Sequence, residues 1–259
     1  MRRLIIAVLL LLTTACGTIA GKPTAAPEAL PDDLLVFRVS YGPGLAMEVE
    51  YLTAGPALSI YGDGRVMVTL KEYPTIPQLE VGQISPVRVA KFVAQVSDTG
   101  LVDDSVDYGD PMVTDAGSTG VLLNDGVQEQ QISVYALSTD SGLSQAQSSR
   151  RSELQDLIDE AWDLTTTAQA TPERIQVMST SAASYDRAGA TWPGPAPSTF
   201  MTDSDHYFAD QCGVLKGESA AMVYDAAVAN DGQLWSVDGE TIMLAVRPLL
   251  PDETGCAAD

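Results

Sequence analysis

From residue 34 onward the chain breaks into short apolar runs separated by turn residues. In "LLVFRVSY", Leu35, Phe37 and Val39 alternate with more polar neighbours, the period expected of a half-buried strand. After Gly42, Pro43 and Gly44 come two more strand-like runs, "LAMEVEYLT" and "ALSIYGDGRVMVTL". Within the second, Gly62, Asp63 and Gly64 separate two β-rich stretches and predict a hairpin, because Asp and Gly tolerate the positive φ of tight turns. The same device recurs around Asn124 to Gly126 and at Asp238 and Gly239. An antiparallel sheet follows from the pattern.

Three segments have helical period instead. Ser85 is placed to cap a helix that has Pro86 at its first position, Val89, Phe92, Val93 and Val96 on one face, and Gly100 at its end. A second helix is predicted over about 149–168, with Leu154, Leu157, Ile158 and Ala161 on its buried stripe, and a third over about 219–229. Between them lies a weakly patterned passage containing Pro193, Pro195 and Pro197, which reads as a connection. The expected fold class is α+β: an antiparallel sheet with Asp-Gly hairpins packed by helices in residues 34–168, a connecting segment over 169–211, and a small helix-plus-hairpin module over 212–259.

The first 33 residues belong to neither pattern. Met1, Arg2 and Arg3 precede an apolar run from Leu4 to Leu12, and Thr13, Thr14 and Ala15 stand before Cys16. A basic end, a short apolar stretch and a small-residue cut site make residues 1–15 a signal peptide, too short to span a bilayer as a helix. Thr13 to Cys16 resembles the lipobox of bacterial lipoproteins, departing from it at Thr13, where leucine is usual. That resemblance makes Cys16 the acylated N-terminus of the mature chain, anchored in a membrane by several acyl chains. The alternative is a plain secretory signal cut near Ala15, with Cys16 a free thiol. Residues 16–33, with Pro23, Pro27 and Pro31 at even intervals, read as a flexible tether that would hold the folded part on the order of 20 Å from the lipid.

Composition narrows the partners. The net charge is −21, and loss of Arg2 and Arg3 with the leader takes it to −23, so nucleic acid and anionic headgroups are disfavoured. With Cys16 lipidated, Cys212 and Cys256 are an even pair in an oxidising compartment and are expected to form a disulfide. As metal thiolates they would lack further cysteine or histidine ligands.

Catalytic signals are sparse. His206 is the one histidine; with Asp203, Asp205 and Asp210 it offers cation ligands but no second histidine. "DDSVDYGD" at 103–110 has calcium-type oxygens, yet Tyr108 stands where an EF-hand loop needs glycine and Thr114 where it needs glutamate. No G-x-S-x-G elbow and no S-x-x-K pair occurs. "GTIAGK" at 17–22 is one residue short of a phosphate loop and is followed by Pro23. Trp192 in "WPGP" reads as a core clamp before a recognition surface, and "RPLLPDE" at 247–253 is distinctive without an assigned role. No catalytic residue, metal or cofactor is expected.

The lipobox-like leader, "SIYGDGRVMV", the Cys212 and Cys256 pair, and "RPLLPDE" before the second cysteine together resemble a group of uncharacterised lipoproteins of actinobacteria. The resemblance implies secretion and anchoring through Cys16 and carries no activity with it. The expectation is a non-enzymatic, lipid-anchored envelope protein that binds another envelope protein or a small molecule. The alternatives are an envelope hydrolase using carboxylates or an acidic cation site, and a carrier of lipid or another apolar ligand.

Overall fold

The computed structural model describes residues 30–70, 76–180, 188–230 and 234–256. The leader, Cys16 and most of the tether lie outside them. Two sheets, each with helices on one face, confirm the α+β class.

The first sheet is antiparallel throughout and runs β6-β5-β1-β2-β3-β4-β7. Its strands are β1 (Leu35–Gly42), β2 (Pro56–Tyr61), β3 (Arg65–Leu70), β4 (Gln78–Gln83), β5 (Ser118–Asn124), β6 (Glu129–Tyr135) and the short β7 (Ala168–Gln169). Alternation decides its two faces. Phe37, Val39, Leu58, Ile60, Val121, Leu123, Ile132 and Val134 are buried against helices α2 (Pro86–Thr99) and α3 (Gln145–Trp162). Arg38, Ser40, Ser59, Gly120, Leu122 and Gln131 fall on the other face.

The second sheet runs β10-β11-β8-β13-β12-β9, from β8 (Arg174–Ser179), β9 (Ala190–Thr191), β10 (Met201–Asp203), β11 (Gln211–Lys216), β12 (Leu234–Val237) and β13 (Glu240–Pro248). Helix α4 (Gly217–Asn230) packs Ala220, Val223, Tyr224 and Ala227 against Ile175, Val177, Leu244 and Val246 of this sheet. Trp192 is buried, edge-on to Trp235 at 5.1 Å, with its indole N–H donating to the Pro195 carbonyl. It clamps a loop onto this core.

The local signals read from sequence account for most of these elements. Ser85 accepts from the Arg88 amide, Pro86 opens α2, and Gly100 closes it at φ 63°. Asp238 and Gly239 sit at φ 51° and 87° between β12 and β13, as a two-residue hairpin requires. Three expectations are corrected. "LAMEVEYLT" is no strand: it holds helix α1 (Glu48–Leu52), started by the Glu50 carboxylate accepting from the Met47 amide at 2.9 Å. Helix α3 starts and stops earlier than 149–168. A capping box of Ser144 and Gln147 sets its start. It ends at Trp162, ahead of a β-branched threonine run, and Ala168 pairs with Val81 in the sheet.

The passage 169–211, read as a connection, supplies β8, β9 and β10, and β8 is an interior strand paired to both β11 and β13. Its burial does not follow the polar–apolar alternation of Arg174 to Val177, because Ile175, Gln176, Val177 and Met178 are all covered, as in an interior strand.

The helix-free faces of the two sheets look toward each other. Leu52 from α1 joins Met178, Cys212 and Ala245 of the second sheet and Ala209 of the β10–β11 loop in a small shared core. Beside it, residues 249–256 lie between the sheets. Arg174 donates to the carbonyls of Leu250, Pro251 and Glu253, holding this segment as a wedge.

Candidate functional site

Where the wedge stops short of β5 and β6, a cleft of about 530 Å3 remains between the sheets. Its floor is the outward face of the first sheet. Register places Arg38 beside Ser59 and Leu122, Leu122 beside Gln131, and Ser40 beside Gly120. One wall is α1, with the Tyr51 ring stacked on Phe208 at 4.6 Å and its hydroxyl donating to the Gly44 carbonyl at 2.7 Å. Gln176, Arg247, His206 and residues 252–256 complete the lining.

Charge in the cleft is arranged in pairs. Arg38 donates from Nη2 to Asp252 Oδ1 at 2.8 Å and from Nε to Ser59 Oγ at 3.0 Å. Tyr61, wholly buried, donates to the same Asp252 oxygen at 2.5 Å. Arg247 donates to Glu253 Oε1 at 2.9 Å and to Gln176 Oε1 at 3.2 Å, and Gln176 Oε1 also accepts from the Cys256 amide. Both arginine side chains are largely covered, at 16 % and 12 % exposed. Such charge-assisted bonds hold better in this environment than on open surface.

Burial alone would raise the Asp252 carboxyl, but the bonds from Arg38 and Tyr61 outweigh it and hold the group below its ordinary value. Burial, then the bond to Asp252, pushes the Tyr61 hydroxyl far up, so it stays a donor. Because the folded Asp252 value is depressed, its contribution is complete above the unfolded carboxylate value near 4 and fades as pH falls through the folded one. Asp252→Asn is therefore expected to lower the melting temperature at pH 7, and the gap from the parent should narrow by pH 3. Thermal melts at pH 7, 5 and 3 check this; a gap that stays constant would refute the assignment.

Of the residues singled out by sequence, Cys212 and Cys256 form a disulfide, Cα to Cα 5.5 Å, which ties the wedge to β11. Cys16 lies outside the described residues. His206 lies beside the cleft, its Nδ1 accepting from the Phe208 amide at 3.2 Å, and its neighbour Asp210 gives its backbone to Ser179 and Ser204. Asp103 accepts from the amide and hydroxyl of Ser105 and from Gln130 of β6, and Asp107 from the Gly109 amide and from Gln147 of α3, so these two carboxylates shape their loop and tie it to the first sheet and to α3. Among the described residues no three His, Cys, Asp or Glu side chains are grouped to hold a metal ion, and no helix is long and apolar enough to cross a membrane.

Arg38, Tyr61, Gln176, Arg247, Asp252 and Glu253 were not assigned a site from sequence. "RPLLPDE" carries three of them, and the charges flanking its two prolines are the available signal. Arg38 carried another, as the one charge inside an apolar strand.

A second, surface groove of about 640 Å3 lies between α2 and the turn after β5, lined by Leu30, Ala90, Val93, Ala94 and Val127. The space between α2, α3 and the first sheet is filled by Phe37, Phe92, Leu154 and Ile158, with Phe37 and Phe92 edge to face at 5.2 Å. No known protein family matches this sequence, and no curated protein or solved structure is significantly similar to it.

Proposed function

We propose that this protein is a non-enzymatic binding module of the cell envelope, held on the outer face of the cytoplasmic membrane by a lipid on Cys16, whose ligand occupies the cleft between the sheets. The observation that carries the binding reading is the cleft itself: its volume falls within the about 300–1,000 Å3 of small-ligand sites, and each of its walls comes from a different part of the chain. Its carboxylates favour binding over hydrolysis, since Asp252 and Glu253 are committed to Arg38 and Arg247. The anchoring reading rests on the leader, the small residues before Cys16 and the proline-spaced segment after it, in the manner of the actinobacterial lipoproteins they resemble. The disulfide agrees with an oxidising compartment.

Native mass spectrometry of the chain purified from an actinobacterial host tests the binding reading. The parent is expected to retain a non-covalent mass that Gly120→Val loses; retention by both would place the ligand elsewhere. The N-terminal peptide from the same preparation is expected to begin at Cys16 and to carry acyl chains, and an unmodified terminus cut near Ala15 would refute the anchor.

A further inference from the structure

Resting on that reading of the cleft, we propose that its ligand is a neutral, polyhydroxylated molecule: a glycan segment of one or two sugar rings. Three features of the cleft lead there.

The first is electrostatic. Both arginines already face a carboxylate, so the cleft has no surplus charge to attract an ion, and the net charge of −21 repels anions at longer range. What the cleft leaves over is hydrogen-bonding capacity of both kinds. Among the described residues, Ser40 Oγ, the Gln131 amide and Arg38 Nη1 have no partner. The His206 ring, accepting at Nδ1, has its second ring nitrogen left over. A hydroxyl donates one bond and accepts up to two, so a run of hydroxyls fits mixed donors and acceptors without moving any charge.

The second is the floor. Gly120 and Gly42 leave backbone bare beneath the cleft, although the fold does not demand glycine at either place. A Cβ on Gly120 would meet Ser40 and the Ile132 carbonyl at 3.8–3.9 Å, and one on Gly42 would meet the Ser118 carbonyl at 3.6 Å, all ordinary contacts. Glycine within a strand weakens it and marks close approach of something else. The Tyr51 ring, fixed between Phe208 and the Gly44 carbonyl, adds an apolar face of the kind the C–H side of a sugar ring packs on.

The third separates a glycan from a peptide. Extended peptides are commonly held by adding a strand to a sheet edge, where backbone groups are free. Floor strands β1 and β5 are interior, each paired on both sides; β6, which adds Gln131, is the edge of the sheet, but its unpaired side faces away from β5 and so away from the floor.

Titration of the full-length chain with maltotetraose, mannotetraose and chitotetraose, followed by calorimetry, tests the proposal, with tetragalacturonate and tetra-alanine as comparators. At least one neutral tetrasaccharide is expected to bind, and Gly120→Val to weaken it by about tenfold or more with the melting temperature unchanged. Gly42→Val serves as the second blocking variant should Gly120→Val fold poorly. Binding of tetragalacturonate or tetra-alanine alone, lost in the blocking variants, would overturn the glycan class and leave the cleft as a binding site. Absence of binding by all five probes, or binding that both variants leave intact, would overturn the glycan proposal, while the cleft reading would still be decided by whether the native chain retains a mass that Gly120→Val loses.

Discussion

Arg151→Ala is expected to lower the unfolding free energy by about 4 kcal/mol, through carbonyls left without a donor. The Arg151 side chain is 2 % exposed and sits on the apolar stripe of α3, in line with Leu154 and Ile158. Its guanidinium donates to the carbonyls of Tyr108 at 2.7 Å, Gly109 at 3.0 Å, Ala136 at 2.8 Å and Tyr135 at 3.1 Å. Among the described residues no carboxylate lies within ion-pair distance of it. Its work is to satisfy two loops that turn inward: the one after α2, and the end of β6, where Ala136 is held at φ 46°. Arg151→Lys keeps the charge but loses the planar fork, and should recover less than half of the loss. Urea unfolding of both variants checks this; a midpoint shift worth under about 1 kcal/mol for the alanine variant would show that water replaces the guanidinium without cost.

The second large effect is expected from the disulfide. With Cys212 and Cys256 separated by 44 residues, removing the cross-link should cost about 4 kcal/mol on the chain-entropy account. The expected result is a matching loss for Cys212→Ala with Cys256→Ser and for the parent treated with reductant, while reductant leaves the double variant unchanged. Loss of the bond also frees one end of the wedge, so the backbone amides of residues 250–256 should exchange faster with solvent than those of β8 in the same protein. Equal exchange in both segments would mean that Arg174, Asp252 and Glu253 hold the wedge without the bond.

These two positions differ in how far the sequence announced them. The cysteine pair was evident from number and compartment, and helix α2 from Ser85, Pro86 and Gly100, because caps and turns act through neighbouring residues. Helix α1 was misread because Met47, Val49 and Tyr51 alternate with Glu48 and Glu50, a strand period over a stretch too short for a helical one to show. Arg151 carries no mark in the sequence, since nothing near it along the chain reveals that four carbonyls converge on it. The cleft was hidden for the same reason: Arg38 and Asp252, or Gln176 and Cys256, meet only after both sheets have formed. "RPLLPDE" stood out as unusual, but its partners are set by packing.

The strand orders bear on how the chain reaches this state. Strand β1 is completed by β5, with Phe37 facing Leu123, and β8 by β13, with Val177 facing Val246, while the hairpins between them are local. Each core therefore waits on the closure of one long loop, a search that slows barrier crossing far more than hairpin formation does. During that wait one backbone edge of β1 and one of β8 are unpaired, so the interval before closure is when this acidic chain is most exposed to self-association, and its mutual charge repulsion is most useful.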